Sequence, residues 1–80
     1  MKVVSKRTRL TPAEIMKKAE EYFDGRFGLK KTASDTSCCA EFVGSLGFVT
    51  VQVSASGNLN EVVLTTREWE YQVQDFLKRI

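Results

Sequence analysis

Cys38 and Cys39 stand side by side in "SDTSCCAEF", in a chain with no other cysteine and no histidine. Adjacent thiols can form a redox pair, supply two ligands to a soft metal, or pack as small apolar side chains. Two sulfurs without histidine fall short of a four-ligand structural zinc site. The surrounding residues alternate as in a strand, where neighbours point to opposite faces. On that reading Cys38 enters the core, Cys39 faces solvent, and the pair is packing rather than a disulfide. Glu41 is the carboxylate inside this apolar run, and a simple hairpin register gives it Lys30 as an exposed ion-pair partner. Gly44 and Gly47 frame a hairpin rather than a helix start, so they lack anion-binding geometry. These residues argue against an enzyme, and they imply no cofactor and no metal.

The elements that would position such groups must come from one small domain of 80 residues. A chain of this size buries only about 60–65% of the surface that its unfolded form exposes. Its 42% apolar and 28% charged residues describe a folded protein rather than a disordered one. No apolar run reaches the roughly 20 residues of a bilayer span. "MKVVSKRTRL" lacks the apolar segment of a signal peptide. The expected setting is the reducing cytoplasm, without membrane contact. The net charge of +2 is uneven: Lys2, Lys6, Arg7 and Arg9 precede any acid, and the other seventy residues hold eight bases against ten acids. The expected organisation is one domain over 1–80, with a basic, flexible arm over 1–9 and a folded body over 11–80.

"LTPAEIMKKAEEYFDG" carries the signals of a helix over 11–24. Thr11 is the N-cap, Pro12 suits the first turn, Glu14 closes a capping box, and Leu10 with Ile15 forms a hydrophobic staple. Ile15, Met16, Ala19, Tyr22 and Phe23 share one stripe. A second helix is expected over 67–80, with Trp69, Val73, Phe76, Leu77 and Ile80 on one face and Thr65 or Thr66 as cap. Between them the period falls to two. "GFVTVQVSA" is the clearest strand, flanked by "FGLKKTA", "SCCAEFV" and "NEVVLTT". Two-residue turns at Asp35-Thr36, Ser45-Leu46 and Gly57-Asn58 set Phe42 opposite Val49, Val51 opposite Leu64, and Leu29 opposite Phe42. All three hairpins then place the same apolar residues on one face, with Lys31 pointing there as a snorkelling exception. The expected fold is α+β: a two-layer sandwich of helix, four-stranded antiparallel meander and helix, with both helices on one face of the sheet.

The opposite face would be open, with Val43 opposite Phe48. That surface suggests a non-enzymatic binding or assembly module acting by self-association as a homodimer or by contact with another protein. The alternative is single-stranded nucleic-acid binding through Lys2, Lys6, Arg7 and Arg9 of the arm, with Lys30, Val43 and Phe48 on the open face. A small-molecule ligand finds little room inside one 80-residue protomer. The segment "VVLTTREWEYQVQDFL", residues 62–77, resembles the strand-to-helix ending of the single-stranded-DNA-binding transcriptional coactivator family. In that family a strand passes through Thr or Ser into a helix with an early Trp, so the resemblance implies nucleic-acid binding. This chain departs from the family in its N-terminal helix and in lacking basic, aromatic-rich strands.

Overall fold

Residues 2–8 form a strand, not an arm. In the computed structural model, which describes residues 1–35 and 37–80, β1 (Lys2–Thr8) pairs antiparallel with β5 (Leu59–Arg67). The register runs from Lys2 opposite Thr66 to Thr8 opposite Asn60. Val4 faces Leu64 and packs on the core, while Thr8 is buried. The Lys6 ammonium donates to the carbonyls of Leu77 at 2.9 Å and Ile80 at 2.7 Å. Those carbonyls close α2 (Glu70–Lys78), where a helix leaves acceptors without partners and a cation is favoured. The basic charge read as an arm therefore caps a helix at one of its four positions.

α1 (Pro12–Phe23) forms as its sequence requires. The Glu14 amide donates to Thr11 Oγ1, and the Thr11 amide donates to the Glu14 carboxylate, a complete capping box. These bonds hold the Glu14 carboxyl below its ordinary range, with Thr11's backbone N–H the largest cause. Gly25, at φ 71°, follows the helix end, a left-handed position that glycine takes without Cβ cost.

β2 (Lys30–Asp35), β3 (Cys39–Val43) and β4 (Phe48–Ser56) complete a five-stranded antiparallel sheet in the order β1-β5-β4-β3-β2. The α+β class and two-layer arrangement hold, but the sheet has five strands and the chain opens on a strand before its first helix. Both helices cover the same face. Ile15, Met16, Ala19 and Phe23 of α1 and Val73 and Phe76 of α2 join Phe42, Val49, Val51, Val62 and Leu64 in one buried cluster. Phe23 is its hub, with ring centroids 5.6 Å from Phe42 and 5.4 Å from Phe76.

The β3–β4 and β4–β5 registers match expectation, with Phe42 opposite Val49, Val51 opposite Leu64 and Val53 opposite Val62. The β2–β3 register does not. The turn is longer than two residues, Asp35 faces Cys39, and a bulge lies between Lys31 and Ala33. Thr36, the second residue of the expected turn, lies outside the described residues. Lys31, rather than Leu29, therefore faces Phe42, and its ammonium reaches Glu20 on α1 at 3.1 Å. Lys31 thus resolves its inward position by an ion pair.

The second helix starts later than expected because β5 continues through Arg67. Thr66 is no cap: it is buried in the sheet and its hydroxyl donates to the Phe48 carbonyl at 2.7 Å. Glu68, at φ 82°, turns the chain, and Trp69 takes the N-cap position without a side-chain capping bond. Trp69 lies half-buried against Phe27, and its Nε1–H is shielded without an acceptor among the described residues. An unmade bond of that kind costs about 1–3 kcal/mol. Trp69→Phe should therefore shift stability by less than about 1 kcal/mol despite losing ring area; chemical denaturation checks this.

Gly47 shows where the sheet admits no side chain. A Cβ there would overlap the Arg67 carbonyl oxygen across the β4–β5 ladder. Gly47→Ala should cost about 1–3 kcal/mol through forced backbone displacement, read as a lowered melting temperature.

Candidate interaction face

Alternation along each strand decides what the helix-free face presents. Odd-numbered residues of β1, β3 and β5 and even-numbered residues of β4 point there, because their neighbours fill the core. Paired positions then line up in rows across the sheet. One row holds Lys30, Val43, Phe48 and Arg67 on β2, β3, β4 and β5. The next holds Glu41, Thr50, Thr65 and Val3, and a third holds Asp35, Cys39, Gln52, Val63 and Ser5. At the far end Glu61 lies between Ser54 and Arg7. Val3 is 61% exposed and Val43 39%, while Phe48 and Val63 are half-buried among their neighbours.

The seven residues singled out from sequence divide between surfaces. Lys30, Val43 and Phe48 are brought into one row, as their alternation implied. Arg7 shares the face but lies at its opposite end, and Arg9 is exposed beyond β1. Lys2 and Lys6 alternate with Val3 and Ser5 and so lie on the helix side, Lys6 against the end of α2. The expected Lys30–Glu41 pair is not formed, because the longer turn moves Lys30 opposite Val43. Glu41 instead accepts from the Thr32 hydroxyl at 2.8 Å. Val3, Glu61, Asp35 and Arg67 are additional members of the face. Alternation along "NEVVLTT", continued through Arg67, carries the signal for Glu61 and Arg67, and a strand at β1 the signal for Val3; Asp35 reaches the face through the longer turn and the bulge of β2.

The cysteine reading also changes. β3 begins at Cys39, so Cys38 lies in the preceding turn, where strand alternation no longer separates the two side chains. Both are half-buried and their sulfurs are joined in a disulfide. Cys38 is therefore not a core thiol, nor Cys39 a free one. The turn is held by Asp35, whose carboxylate accepts from the Ser37 hydroxyl at 2.6 Å and the Ser37 amide at 2.9 Å. These bonds, the hydroxyl's first, keep the Asp35 carboxyl below its ordinary value and favour its charged form. A shallow groove of about 370 Å³ runs over this corner, lined by Asp35, Cys39, Glu41, Thr50 and Gln52 among others.

A second cleft, about 250 Å³, separates the helices on the other side and is lined by Lys18, Glu21, Tyr22, Arg26, Phe76 and Arg79. Tyr22 donates to the Asp75 carboxylate at 2.6 Å, and Arg79 binds the same oxygen at 3.1 Å. Burial, then the bond to Asp75, raises the Tyr22 pKa; Tyr22's hydroxyl is the main cause lowering that of Asp75. The Arg26 and Arg79 guanidiniums sit over the Tyr22 ring at 5.4 and 5.3 Å, a stacked arrangement that clamps the two helices together.

Fold and surface together define a small α+β protein whose antiparallel sheet is covered by helices on one face and bare on the other. No protein-family model and no curated protein matches the chain. In fold it is similar to the Aha1 dimer from Colwellia psychrerythraea, whose solution structure superposes with a TM-score of 0.54 at 12% identity, over 98% of this chain and 87% of that one. Residues 62–77 pass from β5 into α2, but Thr65 and Thr66 stay within the strand and Trp69 stands at the N-cap, before the helix. Among the described residues no helix is long and apolar enough to cross a membrane.

Proposed function

We propose that the protein is a non-enzymatic assembly module that acts as a homodimer through its bare sheet face. The observation that carries this reading is the contrast between that face and the sheet edges. The face presents Val3, Val43, Phe48 and Val63 among Thr50 and Thr65, with Glu41 beside them and Arg67, Glu61, Lys30, Asp35 and Arg7 toward its ends and edges. The two edges are blunted, β1 by Lys2, Lys6 and Arg7 and β2 by Lys30, Lys31, Asp35 and a bulge. Charges and bulges at edges discourage strand-to-strand addition, so association is directed to the face. Five strands about 4.8 Å apart and about six residues of 3.4 Å along each give roughly 500 Å² per protomer, near the lower bound for a specific interface. A reversible dimer follows, not an obligate one. The protein it resembles in fold was solved as a dimer, which agrees with this reading.

Sedimentation over a concentration series tests it. The wild type should pass from monomer to dimer with rising concentration, and Phe48→Glu should remain monomeric with an unchanged circular dichroism spectrum. A wild type that stays monomeric throughout would overturn the proposal. Salt-sensitive binding of a single-stranded oligonucleotide to that monomer would instead favour nucleic-acid recognition.

A further inference from the structure

Resting on the homodimer reading, we infer that the two copies pack face to face about a two-fold axis that crosses the strands, setting Arg67 of each over Glu61 of the other. The inference comes from how charge is distributed on the bare face. On β5, Arg67 stands at one end and Glu61 at the other, six positions apart and on the same side. On β2, Lys30 and Asp35 repeat the order, with the base beside Arg67's row and the acid toward the far end. The face therefore carries two bases and no acid along the Lys30–Val43–Phe48–Arg67 row, while toward the far end the acids Glu61 and Asp35 outnumber the one base, Arg7, which stands beside Glu61 on β1. None of Lys30, Arg67, Glu61 and Asp35 has an ion-pair partner among the described residues, whose ion pairs are Lys31–Glu20 and Arg79–Asp75.

An isologous dimer brings the same patch together from both copies, so the patch must complement itself. Two orientations keep the strands of packed sheets nearly aligned. A two-fold axis parallel to the strands lays the Lys30–Arg67 row on its own copy, which gathers four cations and no acid. A two-fold axis perpendicular to the strands, passing between Val63 and Thr65, exchanges the ends of β5. Arg67 then meets Glu61 twice, once on each side of the axis. The midpoint between Lys30 and Asp35 falls close to the same line across the sheet, so β2 brings its base over the partner's acid under the same operation. The axis crosses the middle strand β4 between Thr50 and Gln52, which occupy the centre with Val63 and Thr65 beside them; Glu41 lies next to the axis on β3, and the Arg67–Glu61 pairs stand toward the strand ends. Paired charges of this kind select orientation and partner more than they supply affinity.

Charge reversal tests the orientation separately from dimerisation. Arg67→Glu alone and Glu61→Arg alone should each raise the dimer dissociation constant at least about tenfold, because each creates two like-charge contacts. The double variant R67E/E61R should recover the wild-type constant. A mixture of the two single variants should form a heterodimer in preference to either homodimer, since both contacts between them are again opposite in sign. Melting curves of every variant exclude misfolding, and recovery in the double variant or the mixture does so independently. If the wild type dimerises but the single reversals leave its dissociation constant unchanged, or the mixture shows no heterodimer, the orientation is wrong while the homodimer reading stands. A wild type that never dimerises removes both.

Discussion

Deletion of residues 1–9 should abolish most of the protein's stability. An 80-residue domain is held by roughly 4–12 kcal/mol in all. The deletion strips β5 of its outer partner along all seven β1 positions, from Lys2–Thr66 to Thr8–Asn60. It also uncovers Leu64 where Val4 lies, and removes the Lys6 ammonium from the carbonyls that end α2. The loss should be at least about 4 kcal/mol, leaving a chain with no cooperative transition in urea. A loose arm would behave otherwise: its removal would shift stability by no more than about 0.5 kcal/mol. The two outcomes are far apart, so one denaturation curve decides between strand and arm. Lys6→Met keeps the stem while removing the charge, and should show a smaller loss confined to the helix end, of about 1 kcal/mol.

The second large effect is expected at Phe23. It is fully buried, sits edge-on to Tyr22 at 4.8 Å, and touches both Phe42 of the sheet and Phe76 of α2. Phe23→Ala would open a cavity where α1, α2 and β3 meet, and the surrounding rings come from three elements that cannot all collapse inward. A cost of about 3–5 kcal/mol follows, measured as a shift in the urea midpoint. Tyr71, 76% exposed on α2, is the control: Tyr71→Ala should stay within about 0.5 kcal/mol of the wild type.

The parts of the fold legible in the sequence are those whose signals are local and mutually consistent. Thr11, Pro12 and Glu14 announce α1 within four residues, and Val49, Val51 and Val53 tie β4 to both neighbours through the short Gly44–Gly47 and Gly57-Asn58 turns. β1 escaped because its inward positions include Lys2 and Lys6. A strand whose core side carries two lysines shows no apolar period, and the acceptors that accommodate Lys6 lie 71 and 74 residues away. The β2 register failed for a geometric reason: a longer turn and a bulge each displace pairing, and neither leaves a mark on residue type. The end of β5 failed because Thr65, Thr66 and Glu68 look like capping residues, although the ladder to β4 holds both threonines in the sheet and Glu68 only turns the chain after it. The same errors account for the candidate surface. Lys30, Val43 and Phe48 were legible as a row, whereas Val3 and Arg67 depended on the two strands that sequence patterns concealed. For the cysteines, the decisive fact is where β3 begins, and a shift of one residue turns opposed side chains into joined ones.

The position of β1 also governs how the chain reaches its native state. Its ladder partners lie more than fifty residues downstream, so the earliest strand of this sheet is the last able to pair. The β4–β5 and β3–β4 hairpins close over short loops and can form early, whereas docking β1 onto β5 must close a loop of more than fifty residues. Until that happens β5 is an unprotected edge bearing Val62, Val63 and Leu64, the kind of segment that recruits other chains. Refolding should accordingly be slow for so small a protein and sensitive to concentration, with β1 acting as the latch that removes the adhesive edge.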